Sequence, residues 1–509
     1  MKAGGKMNIQ QAKQEIEHTL KAYCRKDTEG RYLYPVVRQR PVVLMGPPGI
    51  GKTAIMEQIA RECGVCLVAY AMTHHTRQSA IGLPHIEVKV YDGQTFSVTQ
   101  YTLSEMVAEI YEQMERTGLH EGILFLDEIN CVSQTLAPTM LQLLQSKTFG
   151  SHRVPEGWMI VAAGNPPQYN SAAREFDIAT LDRVRMITVE PDLNVWIQYA
   201  WRRQIHGAII SYLRIREDRF YKVEQKHDES TFVTARGWED MSELLKSYET
   251  LGLPVSQQLA AQFLKDEQTA LEFGAYYQLY RKYGTDYAIA DIMEGTQAHP
   301  EAKIAMAKNA SFEERFTVVN LTLEYLNTQF CKYVREDRRV ALLHQTLETL
   351  RSFWKDRQDA DSLRDFLQLQ RNALVVKRSV GLIGTDEEKD RRWVLSRLEK
   401  YHLTLQSEHI TDTKYAFSHI RSLFACDVEH RAQTLAGMQS RLARAFSFLE
   451  QCFGEGQEML LFVSGLTRSE EAMAFISLHG CDEYLRRSGL MLYREQEKRL
   501  QEACQALEL

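Results

Sequence analysis

No apolar run in this 509-residue chain approaches the roughly 18 residues that a membrane-spanning helix requires. The opening residues, MKAGGKMNIQQAKQEIEHTL, also lack the apolar core of a secretory signal. Both absences argue against export and against a membrane partner, and the expected location is the cytoplasm. Positive charge is not in excess either. Sixty-one Lys and Arg against 67 Asp and Glu leave a net charge of −6, which supplies no global pull toward nucleic acid. An even set of cysteines is missing too: nine of them, scattered from Cys24 to Cys504, fit a reducing compartment rather than a disulfide framework. Cys63 and Cys66 form a lone CxxC without the second pair of ligands that a structural zinc would need, so packing is their expected role. His74 and His75 likewise lack a third ligand at useful spacing. What remains is ordinary for a soluble globular protein, 44% hydrophobic and 25% charged, and too long for one core, so two or three domains are expected.

Against that plain background, residues 46–53 read GPPGIGKT: Gly46, Pro47, Pro48, Gly49, Ile50, Gly51, Lys52 and Thr53 make a complete G-x-x-x-x-G-K-[ST] phosphate-binding loop. The apolar run 41–45 (PVVLM) before it predicts a buried strand. Lys52 to Cys63 after it, with Ile55, Met56 and Ile59 at helical spacing and Gly64 as a stop, predicts a helix. Strand, Gly-rich turn and helix together aim backbone N–H groups and a helix N-terminus at a polyphosphate. In that frame Lys52 neutralises the β- and γ-phosphates and the Thr53 hydroxyl holds Mg²⁺. The expected ligand is a nucleoside triphosphate, ATP with Mg²⁺.

A second motif turns binding into hydrolysis. Residues 123–126 (ILFL) are a fully apolar strand that ends in Asp127 and Glu128. The carboxyl end of a parallel strand beside the phosphate loop is where Mg²⁺ needs a carboxylate, and Asp127 takes that role. Glu128, one residue on, is placed to polarise the water that attacks the γ-phosphate. The alternative is that the pair caps a helix starting near Val132 and Ser133.

Over roughly the first 190 residues the pattern alternates strand and helix. The stretches 66–72, 123–126, 159–163 and 186–189 are short and apolar, which predicts an α/β P-loop core with a parallel sheet covered on both faces. Two hairpins interrupt it. Residues 86–101 (IEVKVYDGQTFSVTQY) alternate around Asp92-Gly93 and lead into a helix with a capping box of Thr102 and Glu105. The second spans 148–158. From about residue 193 the period turns helical throughout. The expected organisation is a nucleotide-binding core over 1–192, a helical lid over 193–295, and, past a junction near 295–300, an all-α region over 296–509. In that last region Ser311 with Glu314, and Thr385 with Glu388, suggest capping boxes. Val340, Leu343, Leu347, Leu350 and Trp354 keep an a/d heptad spacing, as do Leu435, Met438, Leu442, Ala445, Leu449 and Cys452. Such stripes predict seams between long antiparallel helices, and the charged stretch 387–392 predicts a solvated face.

The order of these motifs is similar to that of AAA+ ATPases, and specifically resembles the MoxR group over about residues 30–290. By that resemblance Asn165, at the end of MIVAAGNPP, is a sensor-1 residue that helps orient the attacking water. Leu181-Asp182-Arg183 resembles the motif whose arginine reaches a neighbouring subunit's ATP site, with Arg185 as a rival finger. Thr234-Ala235-Arg236-Gly237-Trp238-Glu239 resembles the S-P-R-x-W-E element in which Arg236 would be sensor 2; Ala235 replaces the usual proline. The hairpins match the helix-2 insert and the pre-sensor-1 hairpin. A finger supplied in trans implies a homo-oligomer with head-to-tail contacts, in this family most often a hexameric ring.

The segment 75–84, where a threading motor presents an aromatic pore loop, has no aromatic residue, so remodelling of a bound partner is favoured over processive threading. Tyr91, Asp92 and Gly93, with Phe149 and Gly150, are the hairpin tips that would touch a partner, unless they simply pack. MoxR-type ATPases commonly work with a separate protein carrying a von Willebrand factor A domain. This chain has no D-x-S-x-S motif of its own, so such a domain would be a second polypeptide. The resemblance thus implies an ATP-driven remodelling or assembly chaperone. Two alternatives stay open: a nucleic-acid-linked AAA+ motor or defence component, for which Arg77, Lys89, His152 and Arg153 are the only obvious basic loop contributors, and a non-catalytic nucleotide switch.

Overall fold

The computed structural model describes residues 6–74, 82–149, 152–170, 172–225, 230–296, 300–355, 362–379 and 382–489. These fall into two compact units. The first is drawn from Met1–Val195, Thr234–Arg236 and Asn372–Glu388, the second from Trp196–Val233, Gly237–Arg371 and Lys389–Leu509.

The first unit is built on five strands, β1 (Val42–Met45), β2 (Cys66–Ala71), β3 (Gly122–Asp127), β4 (Trp158–Gly164) and β5 (Arg185–Thr188). They pair in parallel in the order β2-β3-β4-β1-β5. Successive residues of a strand face opposite sides, and both sides are covered. Leu124 and Leu126 join one core with Met106, Ile110, Met140 and Leu143. Ile123 and Phe125 join another with Ile16, Leu20, Met56 and Ile59. Continuous apolar strands therefore follow from double burial, each large side chain contributing about 1.5–3 kcal/mol. The covering helices are α1 (Ile9–Tyr23), α2 (Lys52–Cys63), α3 (Glu105–Thr117) and α4 (Ala137–Ser146). Helix α1, which the sequence reading passed over, opens with a capping box of Asn8 and Gln11. Because all five strands are parallel, their carboxyl ends share one edge, where ligands of open α/β sheets bind.

The first hairpin pairs Pro84–Tyr91 with Gln94–Tyr101. Asp92 at φ 50° and Gly93 at φ 75° form its two-residue turn, the left-handed pair that an Asp-Gly signal predicts. The helix after it is capped by Ser104, which accepts from Val107 N at 3.2 Å, and not by Thr102. The Thr102 hydroxyl is taken up by Leu83 N instead. The second hairpin is two short strands, Thr148–Phe149 and His152–Arg153. Its tip residue Gly150, together with His75, Arg77 and the rest of 75–81, lies outside the described residues.

In the second unit, contrary to the expectation of helix throughout, Lys222–Gln225 pairs with Ser230–Val233 as an antiparallel ribbon. Two long helices, Phe312–Phe353 and Thr413–Phe453, pack together. Their heptad residues Val340, Leu343, Leu347 and Leu350, and Met438, Leu442, Ala445, Leu449 and Cys452, are buried. Ser311 caps its helix, accepting from Glu314 N, but the reciprocal half of the expected box is absent because the Glu314 carboxylate accepts from Tyr287 instead; Thr385 is already the first residue of helix Thr385–Ser407 rather than its cap. The charged stretch 387–392 is not merely solvated. Asp390 is 2% exposed and accepts from Arg338 Nε at 2.6 Å and Arg339 Nε at 2.8 Å. Burying a carboxylate without such partners is costly.

Candidate nucleotide-binding site

Four strand ends converge at the carboxyl edge of the sheet. Strand β1 runs into the phosphate loop, and α2 starts at Lys52 directly behind Gly51, whose φ of 92° is a left-handed conformation that favours glycine. Gly64, at φ 67°, closes the same helix. The loop thereby directs the first N–H groups of α2, which have no partners within the helix, toward the space beyond β1.

Lys52 is 8% exposed. Its ammonium donates to Gly46 O at 2.7 Å, to Pro47 O at 2.8 Å and to Asn165 Oδ1 at 2.9 Å. Burial pushes its pKa down to about 8; Asp127 and Glu128 oppose that shift and Arg236 adds to it. Thr53 Oγ1 donates to Asp127 Oδ2 at 2.7 Å. The other Asp127 oxygen accepts from Glu128 N at 2.9 Å. Asp127 and Glu128 do not cap the following helix: a 3-10 turn, Ile129–Cys131, intervenes and α4 begins only at Ala137. Glu128 has φ 56°, rare for a residue with a side chain, and its carboxylate accepts from Thr73 Oγ1 at 2.9 Å.

The fourth strand end is that of β4, where Asn165 follows Gly164. Its backbone oxygen accepts from Asn130 Nδ2 at 2.8 Å, and the same amide reaches Arg174 O at 3.4 Å. Asn130 is 4% exposed and also accepts from Arg174 N through its own carbonyl, at 2.9 Å. It thus ties the turn after Glu128 to Asn165 and to the segment that leads toward Arg183. Thr234 and Arg236 lie against the phosphate loop: a Cβ on Gly49 would come within 3.2 Å of Thr234 Cβ and 3.5 Å of Arg236 Cβ. Lys52, Thr53, Asp127, Glu128, Asn165 and Arg236 are therefore neighbours around one loop. Arg183 is not among the contacts of that loop; it is exposed after the short helix Ile178–Leu181. Arg185, by contrast, is engaged within its own chain, donating to Thr19 Oγ1 at 2.7 Å and pairing with Glu15.

The donor set fits Mg²⁺. A hydroxyl and a carboxylate already in contact are hard oxygen ligands, and Mg²⁺ is commonly held by one or two carboxylates with phosphates and water completing the shell. Among the described residues no three His, Cys, Asp or Glu side chains gather as a metal cage. Cys66 is buried at the start of β2, its thiol 3.2 Å from Thr117 Oγ1 and its pKa raised by burial. Thr73 and Asn130 escaped the sequence reading. Their positions just past β2 and β3, at the same edge as the motifs, were the available signal.

Residues 41–184 match the family described as AAA domain (dynein-related subfamily), a segment of less than a third of the chain. The comparison with curated proteins found no match. Among solved structures, two single-substitution variants of RuvB from Thermotoga maritima are similar. One is 13% identical, over 50% of this chain and 69% of that one, with a TM-score of 0.29. The other is 14% identical, over 59% and 82%, also with a TM-score of 0.29. No described helix is long and apolar enough to cross a membrane. With the matched segment spanning the phosphate loop, the Asp127 strand and four of the five strands of the parallel sheet, the chain carries an AAA+ P-loop core followed by a mostly helical region.

Proposed function

We propose that the chain is a Mg²⁺-dependent ATPase of the MoxR group, working in the cytoplasm as a homo-oligomeric ring, hexameric by analogy with that group. It would remodel or assemble a partner protein. The observation that carries the catalytic reading is the contact set Lys52–Asn165, Thr53–Asp127 and Glu128–Thr73 at one edge of the sheet.

In this reading the N–H groups of residues 46–51 and the start of α2 receive the phosphates, and Lys52 balances their charge. Thr53 and Asp127 hold Mg²⁺, which when bound neutralises charge on the β- and γ-oxygens. Glu128 accepts a proton from the attacking water while Thr73 fixes its carboxylate. Asn165 orients that water, and Arg236 contacts the γ-phosphate from the start of its helix. Arg183, exposed and uncommitted to the loop, serves a neighbour's site; the engagement of Arg185 by Glu15 and Thr19 supports Arg183 over Arg185 as the finger. By family analogy residues 193–295 correspond to the helical lid and 296–509 to a further all-α region. The partner is a separate protein with a von Willebrand factor A domain, a reading that rests on family analogy alone.

Two substitutions test the catalytic part. Lys52→Ala should abolish MgATP binding, whereas Glu128→Gln should bind MgATP as the wild type does and lose turnover. Wild-type turnover in Glu128→Gln would remove Glu128 from the mechanism. Wild-type ATP binding in Lys52→Ala would remove the loop from it.

A further inference from the structure

Within the second unit, Trp201, Arg214, Asn320 and Arg468 gather at a place that has no part in the site above. Arg214 sits near the end of helix Gly207–Ile215, in which Gly207 to Leu213 are all buried. Its guanidinium stands 5.7 Å from the centre of the Trp201 ring, and its Nη1 donates to Asn320 Oδ1 at 3.3 Å. The remaining groups are orphaned. Arg214 Nε and Nη2, Trp201 Nε1 and Asn320 Nδ2 are buried without a hydrogen-bond partner, on a tryptophan 6% exposed and an asparagine 4% exposed. Among the described residues no carboxylate pairs with Arg214. The charge that acts on it is Arg468, exposed at the end of helix Gln457–Arg468. Burial first, and then this like charge, hold the guanidinium down at about 10.

A buried cation without a counter-charge is costly, and so is each buried N–H without an acceptor. Every orphan here is a donor; none is an acceptor. One water molecule accepts two hydrogen bonds at most and carries no charge, so it matches this set poorly. An oxyanion offers three or more acceptor oxygens and the missing negative charge, and Arg forks are suited to it. Arg468, exposed and close enough to act on the Arg214 charge, supplies a second cation.

We propose that Trp201, Arg214, Asn320 and Arg468 form a binding site for a phosphate group, carried as the free ion or as a small monoester. The proposal is independent of the nucleotide reading, and its test removes the phosphate loop from consideration. The full chain bearing Lys52→Ala is unfolded thermally in increasing inorganic phosphate, with ionic strength held constant by chloride. Binding to the folded state alone raises the midpoint saturably. The expected result is a saturable rise in Lys52→Ala that disappears when Arg214→Met is added. With Arg468→Ala the half-saturation should move about tenfold higher, the size expected for one charge-assisted contact. A rise of equal size and half-saturation in all three proteins overturns the proposal, as does the absence of a saturable rise in Lys52→Ala. Met keeps much of the volume and removes the uncompensated charge; if that protein nevertheless fails to fold, Arg468→Ala carries the same comparison. A parallel titration with glycerol phosphate assigns the source: tighter half-saturation than phosphate indicates a monoester, weaker indicates the free ion.

Discussion

Nucleotide binding should be coupled to proton uptake through Lys52. Its ammonium is buried and, among the described residues, donates to the neutral acceptors Gly46 O, Pro47 O and Asn165 Oδ1. Burial accordingly holds its pKa at about 8, against the ordinary 10.5 of a lysine. A polyphosphate beside the ammonium favours the charged form and raises that pKa again. With a pKa of about 8, about a tenth of the lysines are neutral at pH 7, about half at pH 8 and about nine-tenths at pH 9. The number of protons taken up per bound nucleotide should climb along the same curve. Titration calorimetry of MgADP at pH 8.5, in buffers of differing ionisation enthalpy, reads that number directly. Lys147, also buried and also held at about 8, is an internal contrast, because its hydrogen bonds run to Gln39 Oε1 and Trp158 O rather than to the loop. Lys52→Arg keeps a permanent charge and should bind without uptake. Buffer-independent heats at pH 8.5 would mean that Lys52 takes up no proton, and uptake that survives in Lys52→Arg would place the proton on another group.

Asn130→Ala leaves the carbonyls of Asn165 and Arg174 without their donor, so stability should fall by about 1–3 kcal/mol. Because Asn165 is displaced, kcat should fall more than KM rises, and denaturation together with steady-state kinetics measures both; wild-type kcat in a destabilised Asn130→Ala would deny it a positioning role. Arg183→Ala should leave stability within about 0.5 kcal/mol of wild type, yet lower turnover by about 10³-fold or more. Arg185→Ala should do the reverse, losing about 1 kcal/mol with its contacts to Glu15 and Thr19 while keeping turnover. If the two profiles are exchanged, Arg185 is the finger.

The parts of this protein that were legible in sequence are those whose chemistry and fold rest on the same contiguous residues. The loop 46–53 is flanked by its own strand and helix, and Gly64 ends α2 at φ 67° where a side chain would be strained. The central strands β1, β3 and β4 lie within one residue of the apolar runs because double burial leaves hardly a polar position to blur them. Thr73 and Asn130 were not legible, since their partners Glu128 and Asn165 lie 55 and 35 residues away. The ribbon Lys222–Gln225 with Ser230–Val233 was missed because four-residue strands carry too few alternations to outweigh helical flanks. The choice of Ser104 over Thr102 turned on a tertiary demand: Leu83 N claims the Thr102 hydroxyl. Likewise Asp390 resembles any surface acid in sequence, and only the fold brings Arg338 and Arg339 to it.

In the proposed ring, MgATP is hydrolysed at sites completed between subunits, so turnover should depend on assembly. Turnover per subunit as protein concentration is raised, with Lys52→Ala as the blank, reads that dependence. Specific activity should climb with concentration and then saturate, and should be lost in Arg183→Ala at every concentration. Activity that stays constant down to concentrations at which sizing shows a monomer would contradict it.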